Sequence, residues 1–324
     1  MNRRGITGGL FATLAFGPGA VMSAAAQARV YRIGVLRFGV PGDEAQPGLS
    51  AALAAIGYQE GRNIRSEWRW ASTAEVAHRH ALELSALGLD LIVASATPAA
   101  LALRDVNPKA PIVLAGVADP VGSGLVATLA RPGGNITGVS NNLPAAAAKQ
   151  VLLLREAVPG LQRVAFLGST EDRATPLFVE QVRAAATALG LGVQPFLIGQ
   201  AAEYESAAEA MARQRCQAVV VQPLFTLGNS GPLAEVLARQ RLPAISALRQ
   251  FAMAGGLMSF GPNRAETWKR AASFIDRVLK GGKPAELPVE EPTLYDLVIN
   301  FKTAKALGLT IPPSLRQRAD EVLQ

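Results

Sequence analysis

From Arg29 onward, short runs rich in β-branched residues alternate with longer segments rich in alanine and leucine. A strand buried on both faces reads as a continuous apolar run, while a helix packed on one face repeats every three to four residues. The alternation therefore predicts repeated strand–helix–strand units around parallel sheets. In the first half, strands are predicted at 31–36, 64–70, 90–94, 112–115 and 136–139. Helices are predicted at 48–56, 74–86 and 98–104, with a short one near 121–130. The pattern then restarts, with helices at 143–157, 175–189, 203–213 and 232–239 and strands at 163–167, 192–197, 218–222 and 244–246. After the segment Gly255 to Gly261, a long helix at 265–280 ends at Gly281-Gly282 with a lysine in its last turn, a well-formed stop. The remaining strand (294–299), helix (302–307) and Pro312-Pro313 turn are too few for a third domain and are expected to cross back between the halves.

The fold class expected is α/β: two Rossmann-like lobes with parallel sheets, joined by several crossings. Their bounds are expected at 29–140 plus 259–287 for the first lobe and 141–258 plus 288–324 for the second. A length of 324 residues, 49% hydrophobic and 18% charged, suits two lobes of ordinary domain size. Residues 1–28 read differently. Arg3 and Arg4 lead into an apolar stretch from Ile6 to Val21, interrupted by Gly17-Pro18-Gly19, and Ala26-Gln27-Ala28 precedes Arg29. This is the order of a secretory signal, with cleavage expected after Ala28 and a periplasmic product. The segment holds no cysteine for lipid attachment, and the paired arginines leave twin-arginine export open beside the general route. Removing its two arginines lowers the formal charge from +7 to +5.

The remaining basic residues are scattered without an aromatic platform, so no nucleic-acid partner is expected. Cys216 is the sole cysteine, which excludes an internal disulfide; beside the Val219-Val220-Val221 run it reads as a buried structural thiol. The two histidines, His78 and His80, lie two apart on a predicted helix and cannot share a metal as an i, i+4 pair would. Gly168-Ser169-Thr170 lacks the flanking glycine of a nucleophile elbow, and Gly122-Ser123-Gly124 lacks the third glycine of a dinucleotide fingerprint. No enzyme, cofactor or metal site is expected.

In open parallel sheets, ligands sit beyond the carboxyl ends of the strands, which singles out the loops there. In the first lobe these hold Arg37 and Phe38, then Ser95, Ala96 and Thr97, then Ala118 and Asp119. Thr97 precedes Pro98, a residue suited to a first helical turn, so the helix start can receive a ligand carboxylate. The other reading is that Thr97 only caps its own helix. Asp119 is the candidate to meet a ligand ammonium, with turn-making before Pro120 as the alternative; Phe38 either stacks on a flat ligand or belongs to the core. In the second lobe the same rule gives Ser169 and Thr170, Gln222 and Leu224, and Ser246 with Arg249, a lining suited to a neutral or zwitterionic solute.

Several long motifs carry a family resemblance: Gly57-Tyr58-Gln59-Glu60-Gly61-Arg62-Asn63-Ile64, Glu67-Trp68-Arg69-Trp70-Ala71, and Asp119-Pro120-Val121 with Arg131-Pro132-Gly133-Gly134-Asn135-Ile136-Thr137-Gly138. Further along come Gly255-Gly256-Leu257-Met258-Ser259-Phe260-Gly261, then Leu297-Val298-Ile299-Asn300 and the stretch from Thr303 to Pro312. In this order the chain resembles the ABC-transporter substrate-binding proteins, the family that includes tryptophan/tyrosine-type binding proteins. The resemblance implies a type I periplasmic-binding fold in which two lobes, joined by three crossovers, close over a small solute and signal a membrane permease. Separately, Ser95-Ala96-Thr97 resembles in part the Ser/Ala/Thr turn with which binding proteins for branched amino acids hold the carboxylate. The chain departs from the family at Ala94 to Ala99, where paired glycines are usual, and at Pro223 to Thr226 and Ser246 to Leu248, where aromatic residues are frequent. An exported sensory module that presents its ligand to a kinase or chemoreceptor would need the same cleft, and stays open beside transport.

Overall fold

The computed structural model describes residues 29–42, 45–106, 109–227 and 230–324; the predicted export signal lies outside them. The first sheet consists of β1 (Tyr31–Phe38), β2 (Ile64–Ala71), β3 (Leu91–Ser95), β4 (Ile112–Val117) and β5 (Ile136–Ser140), in the parallel order β2-β1-β3-β4-β5. Its central strand β3, Leu-Ile-Val-Ala-Ser, is buried at every residue because helices cover both faces. On one side lie α2 (Ala74–Ala86) and α3 (Thr97–Val106); on the other are α1 (Ala45–Ala55) and a helix from much later in the chain.

The second sheet repeats the design with β6 (Arg163–Ser169), β7 (Gly192–Ile198), β8 (Ala218–Val221), β9 (Ala244–Ser246) and β10 (Met258–Pro262), then β11 (Tyr295–Asn300) and β12 (Glu321–Leu323). Its order is β12-β11-β10-β9-β8-β6-β7. One face is covered by α4 (Leu143–Ala157), α5 (Thr175–Ala188), α10 (Phe301–Leu307) and α11 (Pro313–Arg318); the other by α6 (Tyr204–Arg213), α7 (Gly231–Arg239) and α8 (Arg249–Met253). Cys216 is buried in this second cluster, a structural thiol as the sequence suggests, and burial pushes its pKa up. Ser259 to Pro262, expected with the first lobe, pair within the second sheet as β10. The long helix α9 (Arg264–Leu279) then packs on the first sheet against α1, β4 and β5.

Three crossings join the lobes: β5 to α4 through Asn141 and Asn142, β10 to α9 through Asn263, and a return between Glu286 and β11. The return strand must re-enter where β10 left, so β11 runs antiparallel to β10, the one departure from parallel pairing among the described strands. The crossings are tied to one another. Glu290 bonds through its backbone to Gly138 and Ser140, and the Asn263 side-chain amide donates to Asp296 at 2.9 Å while its carbonyl oxygen caps α9 at the N–H of Glu266. Gly138 is needed here: at φ 128 a Cβ would lie 2.4 Å from the Leu114 carbonyl oxygen.

The short helix expected at 121–130 does not form. The segment is a compact turn in which the N–H groups of Leu125 and Val126 both donate to the Pro120 carbonyl, and both side chains enter the first lobe's core. Gly122 and Gly124 weaken a helix at this point, and Gly124 adopts a left-handed φ of 72.

Candidate ligand-binding site

The carboxyl ends of both sheets face each other across a cleft of about 710 Å³, counting the space open to solvent at its mouth. From the second lobe, Leu224 and Leu227 pack against the apolar cluster of the first, so the lobes stand closed over the cavity.

The first lobe contributes the turn between β3 and α3. The Arg37 guanidinium, at the end of β1 and only 2% exposed, donates to Ser95 Oγ at 2.8 Å. Ala96 follows with φ 76, a left-handed conformation that glycine adopts freely and alanine resists. This is the turn where the family resemblance would place paired glycines; the backbone keeps the glycine-like geometry without the residue. Thr97 opens α3, and its Oγ1 accepts from the Ala118 N–H at 3.3 Å, joining the ends of β3 and β4. The first N–H groups of α3 have no carbonyl four residues back within the helix, and its N-terminus carries a partial positive charge. With Arg37 behind it, the turn suits a carboxylate.

The second lobe contributes a buried polar cluster. Gln222, 1% exposed at the end of β8, accepts through Oε1 from the Ser169 N–H at 2.7 Å. A backbone N–H can only donate, so the amide orientation is set and Nε2 must face Asp172, to which it donates at 2.8 Å. The Ala174 N–H donates to the other Asp172 oxygen at 2.9 Å. Burial raises the pKa of this carboxyl, and the bonds from Ala174 and Gln222 pull it back toward the charged form. Apolar walls complete the cleft, chiefly Leu143, Phe178, Leu248 and the ring of Trp268.

Of the residues singled out from sequence, Arg37, Ser95, Ala96, Thr97, Ala118, Gln222 and Leu224 line this cavity together. The others lie elsewhere. Asp119 makes a turn: its Oδ1 accepts from the Gly122 N–H at 2.8 Å, and its carbonyl accepts from Ser123, while the neighbouring Ala118 is the residue that reaches the cleft. Phe38 belongs to the core of the first lobe. Thr170 is exposed, its N–H spent on the Ile198 carbonyl. Ser246 is fully buried and donates to the Val221 carbonyl, bracing β8 and β9. Arg249, noted with Ser246, forms a two-pronged ion pair with Glu321, at 2.6 Å on each side, and ties α8 to β12. Sequence reasoning passed over Asp172, Asn141 and Trp268. Asp172 stands three residues beyond β6 and Asn141 one beyond β5, so the strand-end rule reaches both; Trp268 lies within α9, which that rule does not survey.

Residues 39–323 match the profile of the family described as ABC transporter substrate binding protein. A tyrosine-binding protein from Clostridioides difficile is 25% identical over 272 residues, covering 82% of this chain and 77% of the relative. The crystal structure of an ABC domain in complex with L-Trp from Streptococcus pneumoniae superposes with a TM-score of 0.84 at 29% identity, covering 91% of this chain and all of the other. A conserved domain protein from Vibrio cholerae superposes with a TM-score of 0.85 at 25% identity over the same share of each chain.

Proposed function

Because the chain belongs to the ABC transporter substrate binding protein family, we propose that it is an exported receptor that holds an amino-acid-like solute between its lobes and delivers it to the membrane permease of an importer. It is a binding protein rather than an enzyme. One observation carries the ligand class: the cleft has a helix start backed by Arg37 on one lobe and a buried carboxylate on the other, between apolar walls. That arrangement fits a zwitterion with an apolar or flat side chain. Ser95, Ala96 and Thr97 would hold the ligand carboxylate, with Arg37 behind them. Leu224 and Trp268 would enclose its side chain, and Gln222 would keep Asp172 in place. Closure of the two lobes about the three crossings would be the signal read by the permease. The export signal at 1–28 would place the receptor in the periplasm.

The relatives named for tyrosine and crystallised with L-Trp make these two amino acids the first probes. In a thermal-shift screen of residues 29–324, an amino acid present at 100 times its Kd is expected to stabilise the protein by about 2.7 kcal/mol. Absence of any shift across the amino acids, with a clear shift from sugars or nucleosides, would overturn the ligand class.

A further inference from the structure

We propose that the second lobe carries a second binding site, away from the cleft, for a small anionic amphiphile: an aliphatic chain ending in a carboxylate, the chemistry of a medium-chain fatty acid. The site lies at the amino-terminal ends of β9 and β10, the opposite end of the sheet from the cleft, among α7, α8 and α10. It is a cavity of about 980 Å³, against about 710 Å³ for the cleft, each counted with the space open to solvent. Its floor is apolar and buried, formed by Leu237, Leu242, Ala244, Phe251 and Leu257. The Gly255-Gly256-Leu257 motif, which the cleft does not use, shapes that floor. A Cβ on Gly256 would lie 2.4 Å from Phe251 Cε1, so glycine lets the ring lie against the chain, and Gly255 turns the backbone with φ 114.

The neutral polar side chains of this lining are already bonded. Asn300 donates through Nδ2 to the Ala252 carbonyl at 2.8 Å and accepts through Oδ1 from the Thr303 N–H at 2.9 Å; Thr303 Oγ1 donates to the Gly255 carbonyl at 3.1 Å. The carbonyls of Leu237, Ala238 and Phe251, near the ends of α7 and α8, accept from the N–H groups of Leu242, Arg241 and Gly256. What remains is the Arg241 guanidinium and the Lys302 ammonium, on exposed residues of the cavity wall. Neither has a carboxylate partner among the described residues, and no Asp or Glu stands in the described lining. Elsewhere on this lobe Arg213, Arg239, Arg249 and Arg318 each reach a carboxylate. An inorganic anion would leave the apolar floor in water, and a neutral alcohol would leave both cations without a counter-charge. A fatty-acid anion serves floor and cations together.

The test uses residues 29–324 and calorimetry with hexanoate, octanoate, decanoate and 1-octanol. Octanoate is expected to bind at least about fivefold more tightly than octanol. Along the acids, affinity is expected to rise about three- to fourfold per buried methylene. Ala238→Trp on α7 and Ala306→Trp on α10 each set a ring into the cavity from an exposed helical position and are expected to abolish octanoate binding. In the double variant Arg241→Gln/Lys302→Gln, octanoate is expected to bind no better than octanol. Absence of binding by all three acids would overturn the proposal. Octanoate binding that survives both tryptophan variants would overturn it too, since the acid would then sit in the cleft or elsewhere. Equal affinity of octanoate and octanol for the unmodified protein would do the same, because the site would then select only apolar surface. Circular-dichroism melts report which variants fold; either tryptophan variant suffices, and the comparison of acid with alcohol needs neither.

Discussion

Asp119 and Asp172 are placed alike in the sequence, each a few residues past the carboxyl end of a strand, one in each lobe. Their fates differ. Asp119 folds its carboxylate back onto the Gly122 N–H within its own turn, whereas Asp172 is buried in the cleft with one bond from its own loop and one from Gln222 on the next strand. The Asp119 carboxylate keeps acceptor capacity, but it lies outside the cavity lining. One held by a neighbouring strand is pointed where the tertiary structure needs it, and its burial makes a cationic partner worth more. The strand-end rule thus reaches the cleft from both lobes and does not choose between these two residues.

Truncating each aspartate separates the two most sharply. Asp172→Ala is expected to weaken binding of an amine-bearing ligand by about 100-fold or more, since removing one partner of a buried charge pair costs roughly 2–5 kcal/mol. Asp119→Ala is expected to leave the Kd within about twofold, because its oxygen serves only the turn. Calorimetry on the two variants decides it, and the reverse order would return Asp119 to the site.

Gln222→Leu comes next. It strips a partner from both the Ser169 N–H and Asp172 and is expected to lower the unfolding free energy by about 1–3 kcal/mol, measurable by urea denaturation. Affinity for the ligand should fall as well, because Asp172 loses the group that orients it.

A subtler comparison uses pH. The folded-state pKa of Asp172 is raised, mainly by burial, so between the ordinary carboxylate range and that raised value the folded protein binds more protons than the unfolded chain. This group's contribution to stability therefore falls as pH rises through that window and is constant above it. The difference in unfolding free energy between the native protein and Asp172→Ala should follow this course, while affinity for an amine-bearing ligand should rise with pH across the same window as the carboxylate ionises. A flat difference curve would show that burial does not perturb this carboxyl.

The smallest effect is expected at Asp119 itself. Asp119→Ala should cost about 1 kcal/mol through the lost bond to Gly122, read as a modest drop in Tm of the empty protein.

Much of this architecture is legible from residues alone. The apolar runs of β1, β3, β4 and β6 are buried because helices cover both faces of each sheet, and that requirement is written directly into the sequence as unbroken hydrophobic stretches. Capping and stop signals around α9 are local as well, so its ends can be placed to within a residue. The turn at 121–130 was less legible, since an apolar pair at Leu125 and Val126 looks the same whether it caps a core from a helix or from a loop.

By itself, then, the sequence determined the two α/β lobes, the family and the strand ends from which a cleft would be built, because these depend on periodicity and on motifs read in order. Tertiary structure alone decided which groups meet there. Ser169 and Gln222 are far apart in the chain, yet one backbone N–H fixes the amide that orients Asp172. Asn141 lines the cavity from the first crossing and Trp268 from α9, positions that depend on how the lobes pack. Hydrogen-bond partners and burial are properties of neighbours in space, and it is those neighbours that make one aspartate a turn and the other a candidate ligand contact.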